Sequence, residues 1–266
     1  MTPLQFRRIV RAHYRKEGRH DLPWRKTRDP YRILVSEVML QQTQVERVKP
    51  YYQGWMKKFP TSKALAKASL GEVLKSWQGL GYNRRGKALH EAAKVITKLG
   101  RFPQSALELE ALPGVGPYTA RAVLAFAYNA DVIFIETNIR TAVTHHFFPK
   151  RKIVDDKDVL KVLERVHPKG QSQEWYAALM DYGAHLKRSG VRLNARAKGY
   201  AKQSTFAGSD RQARGAILKE LAKGVATKSR LLGLLGDDRT EQLTAQLIRL
   251  EKEGMLKKTR NSYVLP

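Results

Sequence analysis

The sequence predicts an all-α protein closed by a small C-terminal module of three helices and a two-stranded ribbon. Three observations carry that expectation. Apolar residues recur at helical spacing in segment after segment from residue 4 to residue 190. Proline and glycine punctuate these runs at their ends. Residues 50–110 hold no convincing strand.

At 266 residues the chain has room for one large or two moderate domains. Lysine and arginine number 50 against 24 acidic residues, a formal net charge of +26. Such an excess points to a polyanionic partner, most commonly nucleic acid, although ribosome-associated and membrane-surface proteins carry similar charge. No apolar run approaches the roughly 18–20 residues of a membrane span. The first residues lack the apolar centre of a signal peptide, so residence in the cytoplasm, at the nucleoid, is expected. No cysteine is present, which excludes a disulfide, a zinc ribbon and a cysteine-held iron–sulfur cluster.

Residues 4–16 form a basic helix whose Leu4, Ile9 and Val10 are expected to pack at the periphery. Leu22, Pro23, Trp24 and Arg25 lie in a loop with Asp29, and Pro30 opens a helix over about residues 31–48. That helix begins apolar nearly all round, which predicts burial. Glu37 lies inside the apolar run, with Gln41 and Gln44 four and seven residues on along the same face. A buried carboxyl without a partner keeps its proton to higher pH, which suits a general acid near neutrality. The alternative is a core glutamate paired with a distant arginine.

Amphipathic helices follow from Pro60 through Ala68, from Leu70 through Trp77 and from Ala88 to Leu99, the last broken at Phe102 and Pro103. Between the second and third, Gly79 to Lys87 reads as a glycine-bounded turn carrying Tyr82, Arg84 and Arg85. An aromatic with cations at a tight turn suits phosphate and base contact, and equally a solvated connector.

Residues 112–140 are the stretch around which the rest is organised. Pro113 and Gly114 make a tight turn, and Gly116 lets the backbone approach a ligand. Pro117 opens a helix whose apolar run spans Ala120 to Tyr128. Bare amides at its start form a phosphate seat, although an ordinary turn before a core helix has the same spacing. Glu136, Thr137 and Asn138 then read as another helix start, a place that favours a negative side chain; Glu136 as a mere neighbour of the cap is the alternative. His145 and His146 point about 100° apart on that helix and are not expected to share a metal. Residues 175–186 form a strongly apolar helix.

Three stretches together resemble one family, the helix-hairpin-helix DNA glycosylases, and most nearly the adenine glycosylases that remove adenine mispaired with oxidised guanine. They are Leu22 to Arg25 with Ser36 to Val45, then Gly79 to Tyr82, and Leu112 to Gly116. The resemblance covers about residues 4–190 and implies two helical lobes with DNA in the cleft between them. It implies that the amides of Gly114, Val115 and Gly116 hold a DNA phosphate, aided by a monovalent cation on the backbone of Leu112 and Val115. Glu37 matches the acid that protonates the departing adenine, and Gln41 and Gln42 match the polar wedge that fills the stack. Glu136 falls where the family has an aspartate that stabilises the sugar cation and orients water. Tyr118 falls where bifunctional relatives carry a Schiff-base lysine, which implies a monofunctional enzyme. Tyr82, Arg84, Arg85, Asn138, Arg140 and Lys198 complete the expected DNA-contacting set, and Asp181 matches a structural position. The chemistry agrees, because glycosidic cleavage through an oxocarbenium-like state needs one protonated and one ionised carboxyl.

The sequence also departs from the family. Glu136 is one methylene longer than aspartate, Asn83 stands where a second tyrosine is common, and the four cluster cysteines after Lys187 are absent. In their place Lys187 to Lys202 forms a basic stretch, expected on the DNA backbone or else a solvated linker. Residues 203–212 look like a linker between a domain over 1–202 and a module over 213–266. In that module, helices around Ala213 to Leu221, Thr227 to Leu235 and, capped by Asp238, Leu243 to Leu250 precede a ribbon over Met255 to Leu265. The pattern resembles a winged helix-turn-helix, which serves DNA or protein partners; adenine glycosylases ordinarily carry a Nudix-like domain there.

The expected protein is a monomeric, monofunctional DNA glycosylase acting on duplex DNA with a mismatched or damaged base, adenine opposite guanine or 8-oxoguanine first. Mispaired thymine or uracil, or deaminated adenine, is the alternative within the class. A non-catalytic DNA-binding protein on the same scaffold is the alternative outside it.

Overall fold

The computed structural model describes residues 1–193, 196–198 and 205–266. Its helices, in order, are α1 (Pro3–Glu17), α2 (Pro30–Leu40), α3 (Val45–Lys58), α4 (Ser62–Lys67), α5 (Leu70–Trp77), α6 (Arg84–Leu99) and α7 (Ala106–Glu110). They continue as α8 (Pro117–Tyr128), α9 (Thr137–Phe147), α10 (Asp156–Val166), α11 (Ser172–Arg188), α12 (Asp210–Leu221), α13 (Lys228–Leu235) and α14 (Thr240–Lys252). Strands β1 (Ala226–Thr227), β2 (Lys257–Lys258) and β3 (Ser262–Val264) form a small antiparallel sheet in the order β1-β3-β2. Among the described residues no helix is long and apolar enough to cross a membrane.

The chain divides into two compact units. The first comprises Met1–Glu37, Pro103–Ala111 and, as far as its residues are described, Val115–Lys202; the second comprises Val38–Phe102, Leu112–Gly114 and the described part of Gln203–Pro266. The core of the first unit joins Phe6 and Val10 of α1 to Ala122 and Ala125 of α8, Ile139 and Val143 of α9, Leu163 of α10, and Trp175 and Tyr176 of α11. The face of α1 that packs is therefore set by Phe6 and Val10; the expected Leu4 and Ile9 are exposed, at 64% and 37%. Asp181, 2% exposed, accepts hydrogen bonds from the Arg19 amide at 2.8 Å and from the guanidiniums of Arg19 and Arg25. Burial alone would raise its pKa, but Arg25 and Arg19 hold it below the ordinary aspartate value.

The helix expected over 31–48 is two helices. Asp29 accepts from the amides of Tyr31 and Arg32 and so starts α2 beside Pro30. The helix stops at Leu40, Gln42 takes a left-handed φ of 57°, and α3 begins at Val45. The stop is imposed from Arg85, in the first turn of α6. Its Nη1 donates to the carbonyls of Val38 at 2.9 Å, Met39 at 3.1 Å and Gln41, taking the last-turn acceptors that a continuing helix would bond internally. Its Nη2 donates to the carbonyls of Leu80 at 3.0 Å and Gly81 at 3.1 Å. The turn expected over Gly79 to Lys87 is accordingly shorter, because α6 already begins at Arg84.

The C-terminal helices and sheet pack in the second unit around Ile217, Leu218, Leu221, Leu243, Leu247, Leu250 and Tyr263, and this core includes Leu74 of α5. Glu253 fastens the same unit by accepting from Arg84 at 3.1 Å and Arg214 at 2.6 Å. Three details differ from expectation. Ser209 caps α12 at Asp210, so the linker's last residues are helical, while Gln203 and Ser204 lie outside the described residues. A short 3-10 turn over Asp237–Arg239 leads into α14, with Arg239 and not Asp238 at its cap position. The ribbon gains a third strand, β1, paired through Ala226 with Tyr263.

Candidate active site

The first unit brings together three of the residues singled out by sequence: Glu37, Tyr118 and Glu136. Glu37 is near the end of α2, behind buried Leu34 and Val35, and is 7% exposed. Tyr118 follows Pro117 in the first turn of α8, and its hydroxyl donates to Glu37 Oε2 at 2.8 Å. Among the described residues no arginine takes the place of that hydroxyl; Arg25 acts on Glu37 through its charge. Burial, the largest influence, pushes the Glu37 carboxyl up from 4.5 to about 7. The Tyr118 hydrogen bond and Arg25 pull it down, and the charge of Glu136 pushes it up. Burial and the same two carboxyls push the Tyr118 hydroxyl well above its usual value, so it remains a donor.

Glu136 reaches this place on an extended segment that is pinned to α11. Asp131 accepts from the Gly170 amide at 2.8 Å, and the Tyr176 hydroxyl donates to the Val132 carbonyl at 2.7 Å. Phe134 stacks on Tyr176 at 4.0 Å and meets Tyr118 edge-on at 5.7 Å. Glu136 is itself the cap of α9, accepting from the Asn138 amide at 2.7 Å. The carboxylate thus carries a structural task as well as lying within electrostatic reach of Glu37. Glu136 in the coulombic environment of both Glu37 and Tyr118 means that one buried proton and one capping carboxylate share a neighbourhood.

The head of α9 is fixed by close packing. Gly183 of α11 lies so near the Asn138 carbonyl that an added Cβ would overlap it. Gly183→Ala is therefore expected to push the start of α9, and Glu136 with it, off α11. The predicted cost is about 2–3 kcal/mol, read as a lower urea midpoint, together with a loss of any activity that needs Glu136 in place.

Several expected DNA contacts have other partners. Arg85 is the internal clamp described above, buried enough that its pKa falls to about 10. Arg84 is paired with Glu253, Arg140 with Asp156, and Lys198 lies 3.5 Å from Asp155. Asn138 turns its side-chain amide to Glu136 at 3.1 Å. The acidic partners of Arg84, Arg140 and Lys198 lie far along the chain and cannot be read from local charge, although the Arg84 and Lys198 side chains stay 70% and 76% exposed. Gln41, exposed Gln42 and Gln44 fall in the break between α2 and α3, in the second unit, so Gln41 and Gln44 do not continue the helical face of Glu37. Tyr82, 41% exposed with φ 47°, also lies in that unit, under the Arg211 guanidinium. Gly114, with φ 75°, has no room for a Cβ against Ala88. Val115 and Leu112 are buried, and Gly116, extended, caps α8. The residues that sequence reasoning missed are Thr137 and Lys187; Lys187 looked like the first cation of a loop and is instead the last turn of a helix. Among the described residues no group of three or more His, Asp or Glu could hold a metal ion.

Residues 35–169 match the model of the HhH-GPD superfamily of base excision DNA repair proteins. The chain belongs to that superfamily. It is 39% identical over 225 residues to an adenine DNA glycosylase of Mycolicibacterium smegmatis, covering 77% of this chain and 76% of that one. An adenine DNA glycosylase of Mycobacterium tuberculosis is 37% identical over 79% of this chain and 76% of its own. The human adenine DNA glycosylase is 46% identical over 145 residues, only 26% of its length. Among solved structures, a thermostable thymine-DNA glycosylase aligns with TM-score 0.60 and 27% identity, over 68% of this chain and 86% of that chain. A trapped endonuclease III–DNA covalent intermediate aligns with TM-score 0.58 at 20% identity, over 70% and 87%. The architecture is therefore the helix-hairpin-helix one of this superfamily. Helices α7 and α8 flank the Leu112–Gly116 segment, and Arg121 of α8 pairs with Glu110 of α7 at 2.8 Å.

Proposed function

We propose that the protein is a monofunctional DNA glycosylase that flips adenine, mispaired with guanine or 8-oxoguanine, out of duplex DNA and hydrolyses its N-glycosidic bond. The observation that carries the reading is the setting of Glu37: buried, which pushes its carboxyl up to about 7, with Oε2 already accepting from Tyr118 at 2.8 Å. Its proton therefore belongs on Oε1, free to be given to a ring nitrogen of the leaving base. In this scheme the bond between the sugar C1′ and the base breaks, its electron pair leaves with the base, and Glu37 supplies the proton. Glu136 faces the cationic sugar, a water oxygen adds to C1′, and the water's proton returns to a carboxylate. Tyr118 in place of an amine leaves no nucleophile there for a Schiff base, which supports hydrolysis over strand cleavage. The net charge of +26 fits a DNA partner.

The Leu112–Gly116 turn would hold a DNA phosphate on its amides, and the carbonyls of Leu112 and Val115, oxygen donors only, suit a monovalent cation. Residues 213–266 would act as a winged-helix-like module, and the enzyme would work as a monomer. The likeness to a thymine-DNA glycosylase favours one second reading, excision of thymine or uracil opposite guanine. The deciding experiment is a panel of labelled duplexes with adenine, thymine, uracil or hypoxanthine opposite guanine or 8-oxoguanine. Alkali-labile sites at adenine are the expected result. Sites at thymine or uracil alone would install the second reading, and tight binding without excision would leave a DNA-binding protein.

A further inference from the structure

Glu136 does not stand alone at the head of α9. Its Oε1 accepts from the Thr137 hydroxyl at 2.6 Å, and Thr137 Oγ1 in turn receives Nζ of Lys187 at 3.1 Å. Chemistry fixes the direction of this chain. An ammonium only donates and a carboxylate only accepts, so the hydroxyl gives its one proton to Glu136 and a lone pair to Lys187. Lys187 is partly withdrawn from water: burial lowers its pKa, and the charge of Glu136 opposes that shift. It sits one helical turn after Gly183, the point where α11 touches the Asn138 carbonyl. Two helices thus converge on one side chain, α9 through the Asn138 amide and α11 through Lys187. A glutamate has three rotatable bonds and settles in one geometry only if its neighbours fix it.

We infer that Lys187 is a positioning residue for Glu136: acting through the Thr137 hydroxyl, it sets where the carboxylate lies against the sugar and offsets its charge until the sugar cation forms. The consequence for catalysis rests on the glycosylase reading above; the link itself rests on the hydrogen-bond chain. Lys187→Met is expected to lower single-turnover excision about tenfold while duplex affinity stays within about twofold, since a displaced group costs rate and not binding. Thr137→Val should lose as much, the double variant no more than either, and Lys187→Arg and Thr137→Ser should keep most of the rate. Glu37 is surrounded by Tyr118, Glu136 and Arg25. With the Lys187 cation gone, Glu136 weighs more on Glu37, and the alkaline limb of the rate profile should move to higher pH. A Lys187→Met enzyme with wild-type rate and profile overturns the inference, and so do losses that multiply in the double variant. A substrate-free check uses the urea midpoints of Lys187→Met, Glu136→Gln and their combination. Non-additive shifts support the link and additive ones overturn it, so this arm still decides if the wild-type protein excises no base.

Discussion

Glu37→Gln should abolish base excision while leaving duplex binding intact. The amide keeps the shape and the hydrogen bond from Tyr118 but has no proton to give, and loss of a general acid costs about 10²–10⁴-fold in rate. The measurement is alkali-labile product under single turnover, beside a gel-shift titration on the same duplex. The wild-type rate should fall as pH rises past about 7, where Glu37 loses its proton. The stability effect has the opposite sense. The folded-state pKa lies above the unfolded value of 4.5, so between these the folded protein keeps a proton that the unfolded chain has released. What the group contributes to stability is whole below pH 4.5 and is lost as pH rises to about 7. Glu37→Gln removes that loss, and at pH 8 the variant should unfold at a higher urea concentration, by roughly 3 kcal/mol at most. An acid that weakens the fold at neutral pH is what a site selected for proton delivery would hold.

Arg85→Ala should strongly destabilise the second unit. It leaves the carbonyls of Val38, Met39, Gln41, Leu80 and Gly81 without the guanidinium that bonds them. Stranding several acceptors in a partly buried place costs about 3 kcal/mol or more. Arg85→Lys should recover only part, because one ammonium cannot span the two groups that a planar fork reaches. Thermal unfolding reads the loss. If Arg85 instead served as a phosphate contact, the alanine variant would keep its melting temperature and lose only salt-sensitive affinity.

Much of this was legible in the sequence where the cause is local. Pro30 and Pro117 mark true helix starts, Pro113 and Gly114 make a true turn, and Glu37 stood out because a charge within an apolar run is costly enough to need a reason. What could not be read depends on partners far along the chain. The run from Ile33 to Val45 is helical in pattern, and only Arg85, more than forty residues on, ends it at Leu40. In residues 4–16 the sequence pointed to Leu4, Ile9 and Val10, but the large ring of Phe6, set edge-on against Phe147 and Trp175, packs with Val10 and turns Leu4 and Ile9 outward. Strand β1 is two residues long and exists because Tyr263 pairs with Ala226. Lys187 was visible only as one more cation, since nothing within its own helix points to Thr137.

The carboxylate clamps have a consequence for how the protein meets a polyanion. Glu253 is shared by Arg84 and Arg214, Asp181 is shared by Arg19 and Arg25, and Asp156 pairs with Arg140. A cation held in this way contributes less to the release of condensed sodium or potassium from a duplex than a free one does. The dependence of affinity on ionic strength will therefore be shallower than the count of 50 lysines and arginines alone would allow.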